Sequence, residues 1–296
     1  MTQQSHETSR RRPSTRARSC QTCDDAVMRI GISPFASSRE TALGLANTAA
    51  EAGMDTLWLG DGYLANPDFS GWAGGMETMT ELSWLAGRLP AARVGVTAAV
   101  LPLRDPHWLA KQANTLHRLA GGGFVLVVAA GFWPQDLDAR GIDFASRGAV
   151  FADRLSELRA ALVDTSLAPG PDEHGAPPVW LAGATATRRR AIELGLPFQS
   201  SRATAEELAP IAEAFFDSGG TQLAHRVRVE AGSHGVEGQE VEWHAVTGSP
   251  AQLADALGRF AAMGVSDLSI VPGQDDETSM RTVETLAADV LPQLGW

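Results

Sequence analysis

From residue 29 onward the chain repeats one unit: a short apolar run of strand character, a longer stretch of helical period, then a polar break. The strand-like runs are Ile30–Ser33, Thr56–Leu59, Arg93–Val100, Phe124–Ala129, Val179–Leu181, Phe198–Ser200, Val227–Val229 and Leu268–Val271. Helix-period runs lie between them, among them Glu40–Ala52, Trp108–Leu119, Phe151–Val163, Thr187–Leu194, Ala205–Phe216 and Pro250–Ala262. The strands are apolar without strict alternation, as strands covered on both faces are, and strands joined through helices pair in parallel. Eight such units predict an α/β fold of the closed (β/α)8 (TIM) barrel type rather than an open doubly wound sheet, which more often has five to seven strands. Start and stop signals agree. Asp105-Pro106 and Ser249-Pro250 each set a capping residue before a proline, and Gly53 and Gly264 follow two nearly repeated helix ends.

Composition narrows the class further. The 296 residues are 44% hydrophobic and 20% charged, the balance of a soluble folded chain, and the net charge of −11 repels phosphate backbones, so no nucleic-acid partner is expected. No apolar stretch approaches the length of about 18 residues that a membrane helix needs, so no membrane partner is expected either. The two cysteines, Cys20 and Cys23, supply no disulfide framework, and cytoplasm is the default compartment. Residues 1–27 carry five Arg and almost no large apolar side chain, which predicts a disordered basic tail before a barrel domain spanning 28–296. Ser9-Arg10-Arg11-Arg12 lacks the apolar stretch of an export signal, and Met28 stands where translation could start. Cys20-x-x-Cys23 is half a zinc site at most, and the histidines show no ligand spacing, so no metal is expected.

In a closed barrel, chemistry gathers on the loops after the strand C-termini. The second strand ends in Leu59-Gly60-Asp61-Gly62, setting one carboxylate at the mouth; Asp61 is either a proton acceptor or a turn residue bonded to its own backbone. The third ends in small residues, Thr97-Ala98-Ala99, before Pro102, and so admits a flat ligand close to the backbone. The fourth ends in Gly131-Phe132-Trp133, and Trp58, Trp72 and Trp133 with Phe132 form an aromatic mouth. The fifth runs through Gly183-Ala184-Thr185-Ala186-Thr187 into a helix, a turn whose N–H groups and hydroxyls can cradle a phosphate. The loop from Gly62 to Gly75, with Tyr63, Asn66, Phe69 and Trp72, is the expected substrate lining.

Ala98-Ala99-Val100-Leu101-Pro102-Leu103-Arg104-Asp105-Pro106, Gly121-Gly122-Gly123-Phe124, Gly141-Ile142-Asp143-Phe144 with Arg147-Gly148, Pro178-Val179-Trp180-Leu181-Ala182-Gly183 and Gly248-Ser249-Pro250 together resemble the bacterial luciferase-like flavin monooxygenases. The resemblance runs in order across nearly all of residues 29–272. It implies a barrel with a flavin, or the deazaflavin F420, across its mouth. It further implies a non-proline cis bond at Ala98-Ala99 against the ring, Gly131 and Phe132 beside it, Arg147 on the phosphate, and Gly183, Ala184 and Thr187 in the phosphate turn. Asp61 stands where luciferase has a histidine base and where F420 users often have Asp, which weakens a luciferase-like base and raises F420 as the cofactor. Gly62 follows, however, where those users usually have His, and the arginine usual before strand four is absent. The implied activity is a monooxygenase on a small organic substrate, using reduced FMN from a separate reductase. The alternatives are F420-dependent hydride transfer and a non-catalytic flavin-binding relative. A homodimer is the expected assembly.

Overall fold

A computed structural model describes residues 28–36, 38–65, 75–89, 92–232 and 245–295. The tail 1–27, with Cys20 and Cys23, lies outside the described residues, as do Asn66, Phe69 and Trp72 of the second-strand loop. The strands are β1 (Arg29–Ile32), β2 (Thr56–Leu59), β3 (Arg93–Val100), β4 (Phe124–Ala129), β5 (Val179–Ala182), β6 (Phe198–Ser201), β7 (Leu223–Ala231), β8 (Ala245–Gly248) and β9 (Val265–Val271). The helices are α1 (Arg39–Glu51), α2 (Thr78–Ala86), α3 (Pro106–Leu119), α4 (Pro134–Asp138), α5 (Arg147–Leu162), α6 (Thr185–Leu194), α7 (Ala205–Asp217), α8 (Pro250–Ala262), α9 (Asp276–Thr285) and α10 (Leu291–Leu294).

Eight parallel strands close in the order β1-β2-β3-β4-β5-β6-β7-β9, with β9 returning to β1. The expected eight-strand ring is present. A ninth strand, β8, was not expected; it pairs in parallel with Arg228–Ala231, past the point where β7 leaves β9. β7 itself extends well beyond Val227–Val229 at both ends. The caps form as anticipated: Asp105 accepts from the Trp108 N–H at 2.8 Å, and Ser249 and Gln252 make a capping box.

Outward-facing strand residues such as Ile30, Leu57, Val94, Leu126, Leu181 and Leu268 pack against the helix ring. Inward-facing ones form a separate core of Trp58, Val125, Val127, Trp180 and Ala224. Trp58 therefore plugs the barrel and is not part of an aromatic mouth, contrary to the sequence reading. It points inward because Gly31 and Gly95 leave it room: a Cβ on Gly95 would lie 2.3 Å from its ring. The Trp58 and Trp180 rings meet with centroids 5.7 Å apart. At the floor the Asp267 carboxylate accepts from Arg29, Arg93 and Gln222 at 2.6–3.0 Å. Burial alone would raise its pKa; the hydrogen bond from Arg29 and the charges of Arg93 and Arg29 outweigh that and hold it low. Floor and interior are thus filled by side chains.

Candidate active site

Strand register builds the mouth. Val100 pairs with Ala129, Ala129 with Ala182, and Ala182 with Gln199, so β3 to β6 reach the rim at one level. Ala98 and Ala99, Gly131 and Phe132, and Gly183 and Ala184 consequently stand side by side on three consecutive strand ends. Ala98 is half-buried and Ala99 fully buried. The cis peptide bond is Thr97–Ala98, one bond earlier than the Ala98–Ala99 bond inferred from the resemblance. It falls inside the irregularity where the β3–β4 register shifts between Val96 and Ala99. Thr97 Oγ1 donates to Gln199 Oε1 at 2.5 Å across the barrel. Gln199 Nε2 is buried and makes no hydrogen bond among the described residues.

Gly131, at φ +86, begins the β4 loop, and Phe132 beside it is 59% exposed. Arg147 joins this loop: its Nε donates to the Gly131 carbonyl at 3.2 Å and its Nη1 to the Phe144 carbonyl at 2.7 Å, with the guanidinium stacked 3.7 Å from the Phe144 ring. After β5, Gly183 adopts φ +154, and any Cβ there would lie 2.7 Å from Thr187 Oγ1. Helix α6 then starts at Thr185 without a side-chain cap, and residues 183–186 are exposed. The first N–H groups of such a helix have no intrahelical acceptor and carry the positive end of its dipole. The sequence-predicted residues thus form two contacting pairs, Gly131 with Arg147 and Gly183 with Thr187.

Asp61 is placed differently from a poised base. Its side chain is 3% exposed, and both carboxylate oxygens face protein. They accept from the Val100 N–H (2.9 Å), Arg104 Nε (3.0 Å) and Nη2 (2.6 Å), and Thr78 Oγ1 (3.1 Å). Arg104 also reaches Glu77 at 2.9 Å. Burial pulls the Arg104 pKa down, but the bonds and charges of Asp61 and Glu77 more than offset this and raise it, so the guanidinium stays charged. Arg154 fastens the same segment from α5 by donating to the carbonyls of Pro102 and Arg104 at 2.6 and 2.7 Å. Sequence reading quoted Arg104 only as part of a motif; it lies 43 positions from Asp61, and no local pattern couples them. Asp136 was also missed. Its buried carboxylate accepts from the N–H groups of Tyr63 and Leu64, fixing the start of the second-strand loop against α4.

The closed parallel barrel, with its active-site candidates on the strand C-termini, sets the chain among (β/α)8 barrels. The family model for luciferase-like monooxygenases matches residues 28–218, and the chain belongs to that family. A 4-hydroxyprotoasukamycin monooxygenase of Streptomyces nodosus subsp. asukaensis is 31% identical over 120 residues, which cover 40% of this chain and 31% of that protein. The chain thus matches about a third of the length of that curated relative. Among solved structures, the oxygenating constituent of the 3,6-diketocamphane monooxygenase of Pseudomonas putida, in complex with FMN, superposes with a TM-score of 0.71 at 15% identity, covering 90% of this chain and 98% of that one. An F420-dependent secondary alcohol dehydrogenase with an F420–acetone adduct also scores 0.71, at 13% identity, covering 89% and 98%. At these identities the superpositions establish the fold. Among the described residues no helix is long and apolar enough to cross a membrane.

Proposed function

We propose that the chain is a monooxygenase that uses reduced FMN, delivered by a separate flavin reductase, on a small organic substrate. The observation that carries this reading is the common rim level of β3, β4 and β5, which sets Ala98, Ala99, Gly131, Phe132, Gly183 and Ala184 along one continuous wall. Family membership and the monooxygenase relative support it.

The residues present fit the cofactor. The turn at Gly183 tolerates no Cβ, and the uncapped start of α6 offers N–H donors to a phosphate. Arg147 stands at the opening of the β4 loop with two of its donors already held by carbonyls, which orients the remainder of its fork. Gln199 Nε2 is a buried donor suited to the carbonyl edge of a flavin ring. Reduced FMN, when bound, supplies the electrons with which molecular oxygen is divided between substrate and water. The chain's own task is to hold and orient both molecules and to keep bulk water out, for which Phe132 and Trp133 stand at the mouth. Asp61 serves as a positioning residue that holds the β3 rim through Val100 and Arg104. This role replaces that of a free base at the mouth.

Arg147→Ala is the direct test. Losing a charged hydrogen-bond partner of the phosphate should weaken FMN binding by on the order of 2–3 kcal/mol. Unchanged FMN affinity in a folded variant rejects the assignment.

A further inference from the structure

The bond between Thr97 and Gln199 joins strands that are not neighbours, since β4 and β5 stand between β3 and β6 in the ring. It therefore crosses the interior. Gln199 pairs in register with Ala182 on β5 and Ala224 on β7, two side chains small enough to leave an amide room. Ala224 belongs to the inner core with Trp58 and Trp180, and the half-buried Ala98 and Ala182 pack onto that core toward the strand C-termini. The Thr97–Gln199 bar thus lies at the level where the filled interior gives way to the mouth.

Both residues are 2% exposed, so each polar atom of the bar needs a partner. The two ends of a glutamine amide have nearly one shape and opposite hydrogen-bonding character, so only the partners decide how it lies. Here the Thr97 hydroxyl donates to Oε1 at 2.5 Å and fixes the oxygen end. The other end, Nε2, is buried and bonded to none of the described residues. A bar built only to brace the barrel has no use for a donor left over in its middle. A donor at the base of the mouth calls for a ligand that accepts.

We infer that Thr97 is a positioning residue: by donating to Oε1 it turns the Gln199 amide so that Nε2 donates to the acceptor edge of the flavin's pyrimidine ring. This rests on the proposed function and adds selectivity for the redox state of the cofactor. Reduced FMN that has lost its N1 proton carries negative charge on that edge, whereas the oxidised ring is neutral. A donor bonds an anion more strongly than a neutral carbonyl. The pair therefore favours the reduced cofactor over the oxidised one, as suits an enzyme that must take reduced FMN from solution and release it spent.

The test is the ratio of two dissociation constants for the full-length chain, that of oxidised FMN in air over that of reduced FMN under anaerobic conditions. Wild type should bind the reduced form at least ten-fold more tightly. Thr97→Val should cut the ratio at least three-fold, and Thr97→Ser, which keeps the hydroxyl, should hold it within two-fold of wild type. Gln199→Glu replaces the donor with an acceptor and should weaken reduced FMN thirty-fold or more, with a smaller loss for oxidised FMN. Should Thr97→Val fail to fold, Gln199→Leu, which removes the donor without stranding an amide, must lower the ratio in the same way. A merely structural role for Thr97 would lower both affinities together, and that unchanged ratio overturns the inference. So does a wild type without preference, or Gln199→Glu that keeps its affinity for reduced FMN. A wild type that binds neither form overturns the proposed function as well, whereas binding with a ratio indifferent to these variants overturns the inference alone.

Discussion

The Asp61 carboxylate accepts four hydrogen bonds from three residues, two of them from one guanidinium. A buried ion pair of this kind adds little over an apolar pair, but breaking it strands the surviving charge, at a cost of about 3 kcal/mol or more. Asp61→Asn should therefore lower the unfolding free energy by about 3 kcal/mol in urea titrations, with turnover falling in step as the β3 rim loosens. Lost turnover at unchanged stability would restore Asp61 as the base. The position of this residue was legible in Leu59-Gly60-Asp61-Gly62, because a strand end in a barrel is a mouth. Its employment was not, because the partner lies two elements away and only tertiary packing joins them. Arg226 is the converse case. In Ala224-His225-Arg226-Val227-Arg228 alternate positions face inward, so the arginine was readable as interior once the full length of β7 was known.

The turn between β5 and α6 carries the phosphate assignment at the scale of an element. Gly183→Ala puts a methyl group 2.7 Å from Thr187 Oγ1 on a backbone of φ +154. The turn must shift, so FMN affinity should fall ten-fold or more while the circular dichroism spectrum stays that of a barrel; unaltered affinity would remove this turn from the site. Elements with strong end signals were legible throughout, notably α3 behind Asp105 and α8 behind Ser249. The four residues of β8 were not, since Ala245-Val-Thr-Gly is too short to show a period and owes its pairing to the splayed end of β7. The cis bond shows the same limit. A run of small residues marked the right segment, but the bond itself, Thr97–Ala98, lies inside the register shift between Val96 and Ala99, which no local pattern shows.

For the whole molecule, closure of the ring buries His225 between β7 and α8, against the Phe260 ring at 5.0 Å, with its Nε2 on the Ala203 carbonyl. Burial pushes its pKa from the usual 6.5 down to about 4. A base whose folded pKa is depressed stabilises fully above its unfolded value and loses that stability as pH falls toward the folded one. The barrel should thus weaken progressively from pH 6.5 to 4, losing about 3 kcal/mol from this residue. Asp267, held low at the floor, adds its loss below the usual carboxylate range. Urea midpoints across this window should fall less steeply in His225→Gln than in wild type; identical slopes would deny His225 the effect. The central claim, a reduced-flavin site at the mouth of this barrel, is tested most directly by anaerobic titration of the full-length chain with reduced FMN and, separately, reduced F420. The account predicts one reduced FMN per chain, with binding weakened at least thirty-fold in Arg147→Ala, near the lower end of the range for a lost charged partner. Binding of reduced F420 alone, or no saturable binding of reduced FMN, would contradict it.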